Sequence, residues 1–198
     1  MYNGVSEVFL KKKLKLHKRD YIFCAARFAP IKGLDLIVKA ADNNIINKLL
    51  IAGGHENDLL KLDIPINDSI TLLGSLSHDE IANYLSVAQI TAIPSRSETY
   101  GILVAEAICC GSPVVATNVG GIPEVITLAT EKLCPNEKEI FHRWVKLVEA
   151  NISSIKNGID SITKNGASIE EYLLLVSKIR SQFYWSLRLN KFKSLLEK

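Results

Sequence analysis

The 198-residue chain lacks the features by which several classes of protein are recognised. Its formal net charge is only +3, which is too small to indicate a nucleic-acid partner. It has no apolar run long enough to span a bilayer, and its first residues contain no apolar stretch typical of a signal peptide. Glycine and proline are not enriched, which argues against fibrous and low-complexity classes. We therefore expect a globular protein, cytoplasmic by default.

The four cysteines do not form the pattern of a metal site or of a disulfide framework. Cys109 and Cys110 are adjacent, Cys24 and Cys134 lie far from them, and no CxxC pair occurs. The four histidines form no cluster with one another or with the cysteines. We expect buried, reduced thiols, and we expect neither a bound metal ion nor a cofactor.

The alternation of apolar and polar segments predicts strands that alternate with helices. Strands are expected at residues 21–26, 48–52, 69–74, 90–93 and 113–117, and helices at residues 33–41, 78–87 and 101–110. Ser77 and Glu80 have the spacing of a capping box at the start of the second helix. This order predicts an α/β fold, a Rossmann-like, doubly wound parallel sheet that binds ligands at the carboxyl ends of its strands.

The C-terminal third is predicted to be mostly helical. Residues 137–150 are amphipathic, and a second capping-box pattern at residues 168–171 begins a helix that runs to about the end, with a possible break near Ser181. Residues 151–166 are polar and contain two Asn-Gly dipeptides, which favours a surface excursion.

Two carboxylates and two cations stand next to predicted helix starts. Glu98 precedes the helix that Gly101 begins, and Glu106 interrupts the apolar face of its second turn. Arg27 and Lys32 lie on the loop between the first strand and the first helix. A carboxylate can accept hydrogen bonds from a sugar diol, and cations at a helix start suit a diphosphate. Alternatively, Glu98 caps the helix, Glu106 pairs with a surface cation, and both cations are ordinary solvated charges.

The surrounding sequence narrows these alternatives. The stretch from Pro94 to Ala107, followed by Gly111-Ser112-Pro113 and by Gly120-Gly121-Ile122-Pro123-Glu124, resembles the nucleotide-sugar site of retaining glycosyltransferases of the two-Rossmann-domain (GT-B) type, especially glycosyltransferase family 4. Residues 26–33 resemble the Gly-Arg…Lys-Gly segment of that family, with Ala26 in the place of the usual glycine.

The resemblance implies a role for each of these residues. Arg27 and Lys32 would hold the diphosphate and Glu98 would contact the donor hexose, all three as catalytic residues, and Glu106 would bind the ribose hydroxyls. The remaining donor-binding residues that it implies are Gly33, Gly74, Thr99, Tyr100, Gly101, Ile102, Gly120 and Gly121.

The resemblance also implies how the chain is organised. Residues 1–20 would be the remnant of an interdomain hinge, and residues 21–198 the C-terminal half of a GT-B fold, including its C-terminal helices. The partners would be a UDP-, GDP- or ADP-linked sugar and an N-terminal acceptor domain or subunit, without which the enzyme is incomplete. The basic run from Lys11 to Arg19 is expected to be a solvated segment. Alternatively, it makes a peripheral contact with anionic lipid at the inner face of the membrane.

The implied function is transfer of a hexose from a nucleoside diphosphate sugar to a saccharide or lipid-linked acceptor, with retention of configuration. Such a reaction belongs to the synthesis of cell-envelope or capsular polysaccharide or of glycolipid. Two alternatives remain open: a non-catalytic sugar-nucleotide-binding subunit, and a sugar-nucleotide epimerase of the same architecture.

Overall fold

The structure is a computed structural model that describes residues 4–17, 19–41, 48–55, 57–58, 64, 67–165 and 168–184. Within these residues, six parallel strands form a sheet in the order β3-β2-β1-β4-β5-β6. The strands are β1 (Arg19–Ala25), β2 (Leu49–Ala52), β3 (Ile70–Gly74), β4 (Ala88–Ile93), β5 (Val114–Thr117) and β6 (Val145–Val148). The predicted doubly wound, Rossmann-like α/β fold is confirmed.

Helices cover both faces of this sheet, because parallel strands are buried on both sides. They are α1 (Glu7–Leu10), α2 (Leu34–Ala41), α3 (His78–Val87), α4 (Ile102–Cys109), α5 (Ile122–Thr130), α6 (Pro135–Trp144), α7 (Ile152–Thr163) and α8 (Ile169–Arg180), with a 3₁₀ turn at Pro30–Lys32. Every residue of β2 and of β5 is buried, which explains why Thr117 is the one polar residue in these two strands. The capping box of α3 is confirmed, since the Ser77 amide donates to Glu80 Oε2 at 2.8 Å and the Glu80 amide donates to Ser77 Oγ.

The strand order places the sequence-predicted loops next to one another. The chain leaves β1 toward one side of the sheet and β4 toward the other, so the topological switch point lies between these two strands. The two strands pair directly, with Ile22 opposite Ile90 and Phe23 opposite Thr91. Their carboxyl-terminal loops, residues 26–33 and 94–101, therefore face each other across the switch point.

Two predictions for the C-terminal third are wrong. The amphipathic stretch at residues 137–150 is not one helix, because α6 ends at Trp144 and residues 145–148 form the edge strand β6. Residues 152–163 are not a surface excursion, because they form α7, which Asn151 caps by accepting from the Ser154 amide at 2.8 Å. The capped helix α8 begins at Ile169 as predicted, with Ser168 accepting from the Glu170 amide, and it ends at Arg180.

Residues from the predicted hinge take part in the core. Val5 and Phe9 have no exposed surface, and the Val5 amide donates to the carbonyl oxygen of Phe183 at 3.0 Å. Val5 is thus bonded to a residue near the end of the described chain, whereas residues 185–198 lie outside the described residues. That residues 1–20 continue into another domain stays a prediction.

Three of the cysteines are buried as predicted, and Cys134 is an exception. Cys24, Cys109 and Cys110 are buried in the core, and burial raises the pKa of the Cys24 thiol to about 12. Cys134 is exposed because it is the residue that precedes α6.

Candidate functional site

A cavity of about 210 Å³ opens at the switch point between the loops that follow β1 and β4. Its polar lining comes from Arg27 and Lys32 on the first loop and from Ser95 and Glu98 on the second. Gly101 and Ile102, at the start of α4, line it as well. The structure therefore brings the three predicted catalytic residues, Arg27, Lys32 and Glu98, to one cavity.

Lys32 and Glu98 form an ion pair across this cavity. Lys32 Nζ lies 2.6 Å from Glu98 Oε2, and the two side chains are only 16% and 19% exposed. The Ser95 hydroxyl donates a longer hydrogen bond of 3.4 Å to the same carboxylate oxygen. Partial burial makes this pair stronger than a surface ion pair, but a multiply charged anion can still displace the carboxylate from the lysine.

Glu106 lies beside a second cavity, of about 310 Å³, which adjoins the first. Arg27 is exposed and lines both cavities, and the second one is also lined by Gly53, Ser75 and Leu103. Burial raises the pKa of the Glu106 carboxyl group to about 7. Among the described residues, Glu106 makes no hydrogen bond or ion pair through its side chain, so the surface cation considered as its partner is not found there.

The start of α4 brings backbone donors to the first cavity. Gly101 precedes the helix with a φ of 82°, a left-handed conformation that favours glycine. The first amides of a helix have no acceptor within the helix, so they are available to an anion or a hydroxyl group. Of the predicted neighbours, Ile102 lines the cavity, whereas Thr99 is exposed and Tyr100 is half-buried outside its lining.

Three of the predicted glycines hold the loops together. A Cβ atom on Gly33 would lie 2.0 Å from the Pro94 carbonyl oxygen, and one on Gly120 would lie 1.7 Å from the Glu98 carbonyl oxygen. The Gly121 amide donates to that same Glu98 oxygen at 3.2 Å. These glycines allow neighbouring backbones to touch behind the cavities. Gly74 ends β3 with a φ of 67°.

Sequence reasoning missed the residues that fix the β4–α4 loop. Arg96 makes two bonds of 2.6 Å to the carboxylate of Asp35, in the first turn of α2, and a bond of 3.0 Å to the Pro30 carbonyl oxygen. The Thr117 hydroxyl donates to the Ser95 carbonyl oxygen at 2.5 Å. Arg96 lies within the stretch from Pro94 to Ala107 that resembles the nucleotide-sugar site, but no local sequence pattern connects it with Asp35, which is 61 positions away.

The rest of the described chain offers no metal site. No group of three or more His, Cys, Asp or Glu side chains in the described residues could hold a metal ion. None of the helices described is both long and apolar enough to cross a membrane.

A family match covers the part of the chain that forms both cavities. The family model described as "Glycosyl transferases group 1" matches residues 6–172, which include both loops and both cavities. An uncharacterized glycosyltransferase, MJ1178, of Methanocaldococcus jannaschii is 34% identical over 149 residues, which cover 69% of this chain and 40% of that protein.

A second relative is the GDP-mannose-dependent monoacylated alpha-(1-6)-phosphatidylinositol monomannoside mannosyltransferase of Corynebacterium glutamicum. It is 36% identical over 122 residues, which cover 55% of this chain and 32% of that protein. The matched regions thus span less than half the length of these two relatives.

Solved structures share the fold. Anabaena Alr3699/HepE, determined in complex with UDP and glucose, superposes with a TM-score of 0.70 at 19% identity, covering 99% of this chain and 55% of that one. One conclusion follows from the six-stranded sheet, the two loops at its switch point and the family match over residues 6–172. The chain belongs to the group 1 glycosyltransferases, and its fold is that of the C-terminal half of a GT-B enzyme.

Proposed function

We propose that this chain is the donor-binding part of a retaining glycosyltransferase that uses a nucleoside diphosphate sugar. The observation that carries the proposal is the pair of adjoining cavities at the switch point, with Arg27 shared between them, Lys32 and Glu98 in one and Glu106 in the other. Arg27 lines both cavities and each cavity holds one of the two carboxylates, much as the diphosphate of a sugar nucleotide stands between its hexose and its ribose.

In the proposed complex, each part of the donor meets a matching group. The diphosphate lies between Arg27, Lys32 and the first amides of α4, where positive charge and free N–H groups meet. The hexose lies against Glu98, and the ribose hydroxyls donate to Glu106 in the second cavity. The base then lies toward Ser75 and Leu76, which also line that cavity.

The same groups support the proposed chemistry. When the glycosidic bond to the diphosphate breaks, negative charge develops on the departing phosphate oxygens, and Arg27 and Lys32 are placed to stabilise it. The diphosphate itself can accept the proton of the acceptor hydroxyl on the same face of the sugar, which gives retention. No step in this proposal requires a metal ion or a cofactor.

The donor site is tested by calorimetric titration of the 198-residue chain with UDP, GDP and ADP. We expect saturable binding of one nucleotide, and we expect Lys32→Ala and Glu106→Ala each to weaken it by about 1–3 kcal/mol, the usual effect of losing a buried polar contact. The Corynebacterium glutamicum relative is named as GDP-mannose-dependent and the Anabaena structure contains UDP, so both bases are included.

Matched controls come from the surface of the same chain. Lys164 pairs with Asp160 at 3.0 Å and Glu139 pairs with Arg143 at 2.8 Å, both within one helix and away from the cavities. Lys164→Ala and Glu139→Ala should therefore bind nucleotide like the unmodified chain. If no nucleotide binds, or if all four variants bind equally well, the proposed donor site is wrong.

Transfer itself is proposed to require an acceptor domain or subunit. The chain spans 40% of the archaeal relative's length, so an acceptor site formed elsewhere in a longer enzyme would be missing from it. Supplying that domain should produce a glycoside of retained configuration. Intact nucleotide binding with persistent inactivity would instead favour a non-catalytic binding subunit, and free nucleotide with a sugar inverted at C2 would favour an epimerase.

Contact with an anionic membrane is proposed for the basic segment. Lys13 and Lys15 are exposed, and Leu16, which follows Lys15, is 52% exposed, a combination that suits a lipid surface. Lys11 is already paired with Glu7, and Lys18 lies outside the described residues. Sedimentation with vesicles should show binding that needs anionic lipid and is lost in Lys13→Glu/Lys15→Glu, and equal sedimentation with neutral vesicles would contradict it.

A further inference from the structure

Two ion pairs, an inner and an outer one, connect the same two loops. The inner pair, Lys32–Glu98, lies in the first cavity with both side chains less than one-fifth exposed. The outer pair, Arg96–Asp35, lies on the solvent side, with side chains 41% and 26% exposed. Both pairs join the β1–α2 segment to the loop between β4 and α4.

The outer pair is the more extensive connection. The Arg96 guanidinium donates two bonds of 2.6 Å to Asp35 and a third, of 3.0 Å, to the Pro30 carbonyl oxygen. The Arg96 amide also donates to the Ile31 carbonyl oxygen at 2.7 Å. This bidentate geometry fixes orientation as well as distance, and the Arg96 guanidinium holds the pKa of the Asp35 carboxyl group below its usual value.

In the proposed site, we expect the donor to replace the inner pair. Lys32 then faces the diphosphate and Glu98 faces the hexose, so each leaves the other. At that moment the first cavity loses the side-chain contact that joined its two walls. The outer pair and the backbone contacts beside it, such as Gly33 against Pro94, then still join the two walls.

We propose that Arg96 and Asp35 are positioning residues of the donor site. Their ion pair keeps the two loops at a fixed separation when Lys32 and Glu98 leave each other to contact the donor. The inference rests on the proposed function. Loss of the outer pair should therefore weaken donor binding more than it lowers the stability of the free protein, because in the free protein the inner pair still holds the loops.

The experiment measures nucleotide affinity and free-state stability on the same variants. Arg96→Ala should bind the nucleotide preferred by the unmodified chain about 5- to 30-fold more weakly, because binding must now order the loops. Its unfolding midpoint without nucleotide should fall by no more than about 4 °C, the shift expected from a loss of about 1 kcal/mol in a chain of this size. Arg96→Lys keeps the charge but not the bidentate geometry, so its nucleotide affinity should lie between those of the unmodified chain and of Arg96→Ala.

The controls separate positioning from general stability. Arg143 has the same side-chain exposure as Arg96, 41%, and pairs with Glu139 on one helix, so Arg143→Ala should change neither quantity. The reversed pair Asp35→Arg/Arg96→Asp should recover part of the lost affinity. In the Glu98→Gln background, where the inner pair is already absent, Arg96→Ala should lower the unfolding midpoint by more than it does in the unmodified chain.

The outcomes are distinct. If the unmodified chain binds nucleotide and both Arg96→Ala and Asp35→Asn bind it within twofold of the same affinity, the positioning role is wrong while the donor site stands. If Arg96→Ala does not fold, Asp35→Asn alone decides the question. If the unmodified chain binds no nucleotide, the proposed function and this inference fall together.

Discussion

At the scale of single residues, Glu106 is a carboxyl group whose ionisation the fold opposes. Its pKa rises to about 7 because the side chain is largely withdrawn from water, and no described side chain forms an ion pair with it. A carboxyl group whose folded pKa is raised binds more protons in the folded state than in the unfolded state. Its contribution to stability is therefore lost as the pH rises from about 4.5 to about 7.

Glu106→Gln should accordingly stabilise the chain at high pH. At pH 8 we expect a gain of about 1–3 kcal/mol in the free energy of unfolding, because the amide removes the buried charge. At pH 4.5 the two proteins should be nearly equal in stability, since Glu106 is then mostly protonated in the native state. Urea unfolding at both pH values checks this, with Glu139→Gln as the exposed control. A gain of the same size at both pH values would mean that ionisation is not its cause.

The residues of the site were predictable to different degrees. Arg27, Lys32, Glu98 and Glu106 could be selected because they stand in local patterns beside strand ends and helix starts. The Lys32–Glu98 and Arg96–Asp35 pairs could not, since each joins positions more than 60 apart and depends on β1 and β4 being neighbours. The donor-binding role of the glycines stays a prediction, and their contacts with Pro94 and Glu98 backbone atoms follow only from the packing of the loops.

At the scale of elements, α7 shows why the last third was harder to predict. The dipeptide Asn157-Gly158 is typical of a turn, yet Gly158 lies inside the helix and is buried. A Cβ atom there would lie 2.9 Å from Val148 Cγ1 and 3.0 Å from Val115 Cγ1. Glycine is thus used for close approach of α7 to β5 and β6, and tertiary packing overrides its turn preference.

Gly158→Leu should therefore destabilise the chain despite the better helix propensity of leucine. The helix gains about 1 kcal/mol from propensity, but forcing the side chain against two valines of the sheet costs more, and we expect a net loss of about 1–3 kcal/mol. The control is Asn157→Leu, at the exposed neighbouring position, which should be neutral or stabilising. Chemical denaturation measures both, and a more stable Gly158→Leu variant would show that the contact is not tight.

The edge strand β6 was missed for a related reason. Its four residues, Val145–Val148, continue without a break from α6, and neither proline nor glycine separates the two elements. Strands 1 to 5 were predictable because turn residues or polar loops bound most of them and their apolar runs are short. A strand that begins at the residue directly after a helix has no such boundary, so its pairing with β5 is what identifies it.

At the scale of the whole molecule, the first described residues are part of the domain. Phe9 is fully buried, and the Arg180 guanidinium donates to the Cys109 carbonyl oxygen at 2.8 Å and to the Lys12 carbonyl oxygen. The segment before β1 is thereby fastened to α4 and α8. A connection to another domain through residues 1–20 would begin from a fixed point on this domain.

Phe9→Ala should lower the free energy of unfolding by about 3–5 kcal/mol, as expected when a large side chain is removed from a closed core. Leu16→Ala provides the comparison within the same segment, because Leu16 is 52% exposed and its loss should change stability by less than about 0.5 kcal/mol. Thermal or urea unfolding distinguishes them. Equal, small effects would show that residues 4–10 act only as a linker.

The Lys32–Glu98 ion pair affects how tightly the proposed site would bind different ligands. Inorganic phosphate or a free nucleotide can replace Glu98 at the lysine, but it leaves the carboxylate without a partner and close to a new negative charge. A sugar nucleotide offers anionic oxygens at one end of the cleft and hydroxyl donors at the other, so it compensates both charges at once. In the proposed site, the resting ion pair thus makes a free nucleotide, which pairs with Lys32 alone, a weaker ligand than a sugar nucleotide, which compensates both side chains.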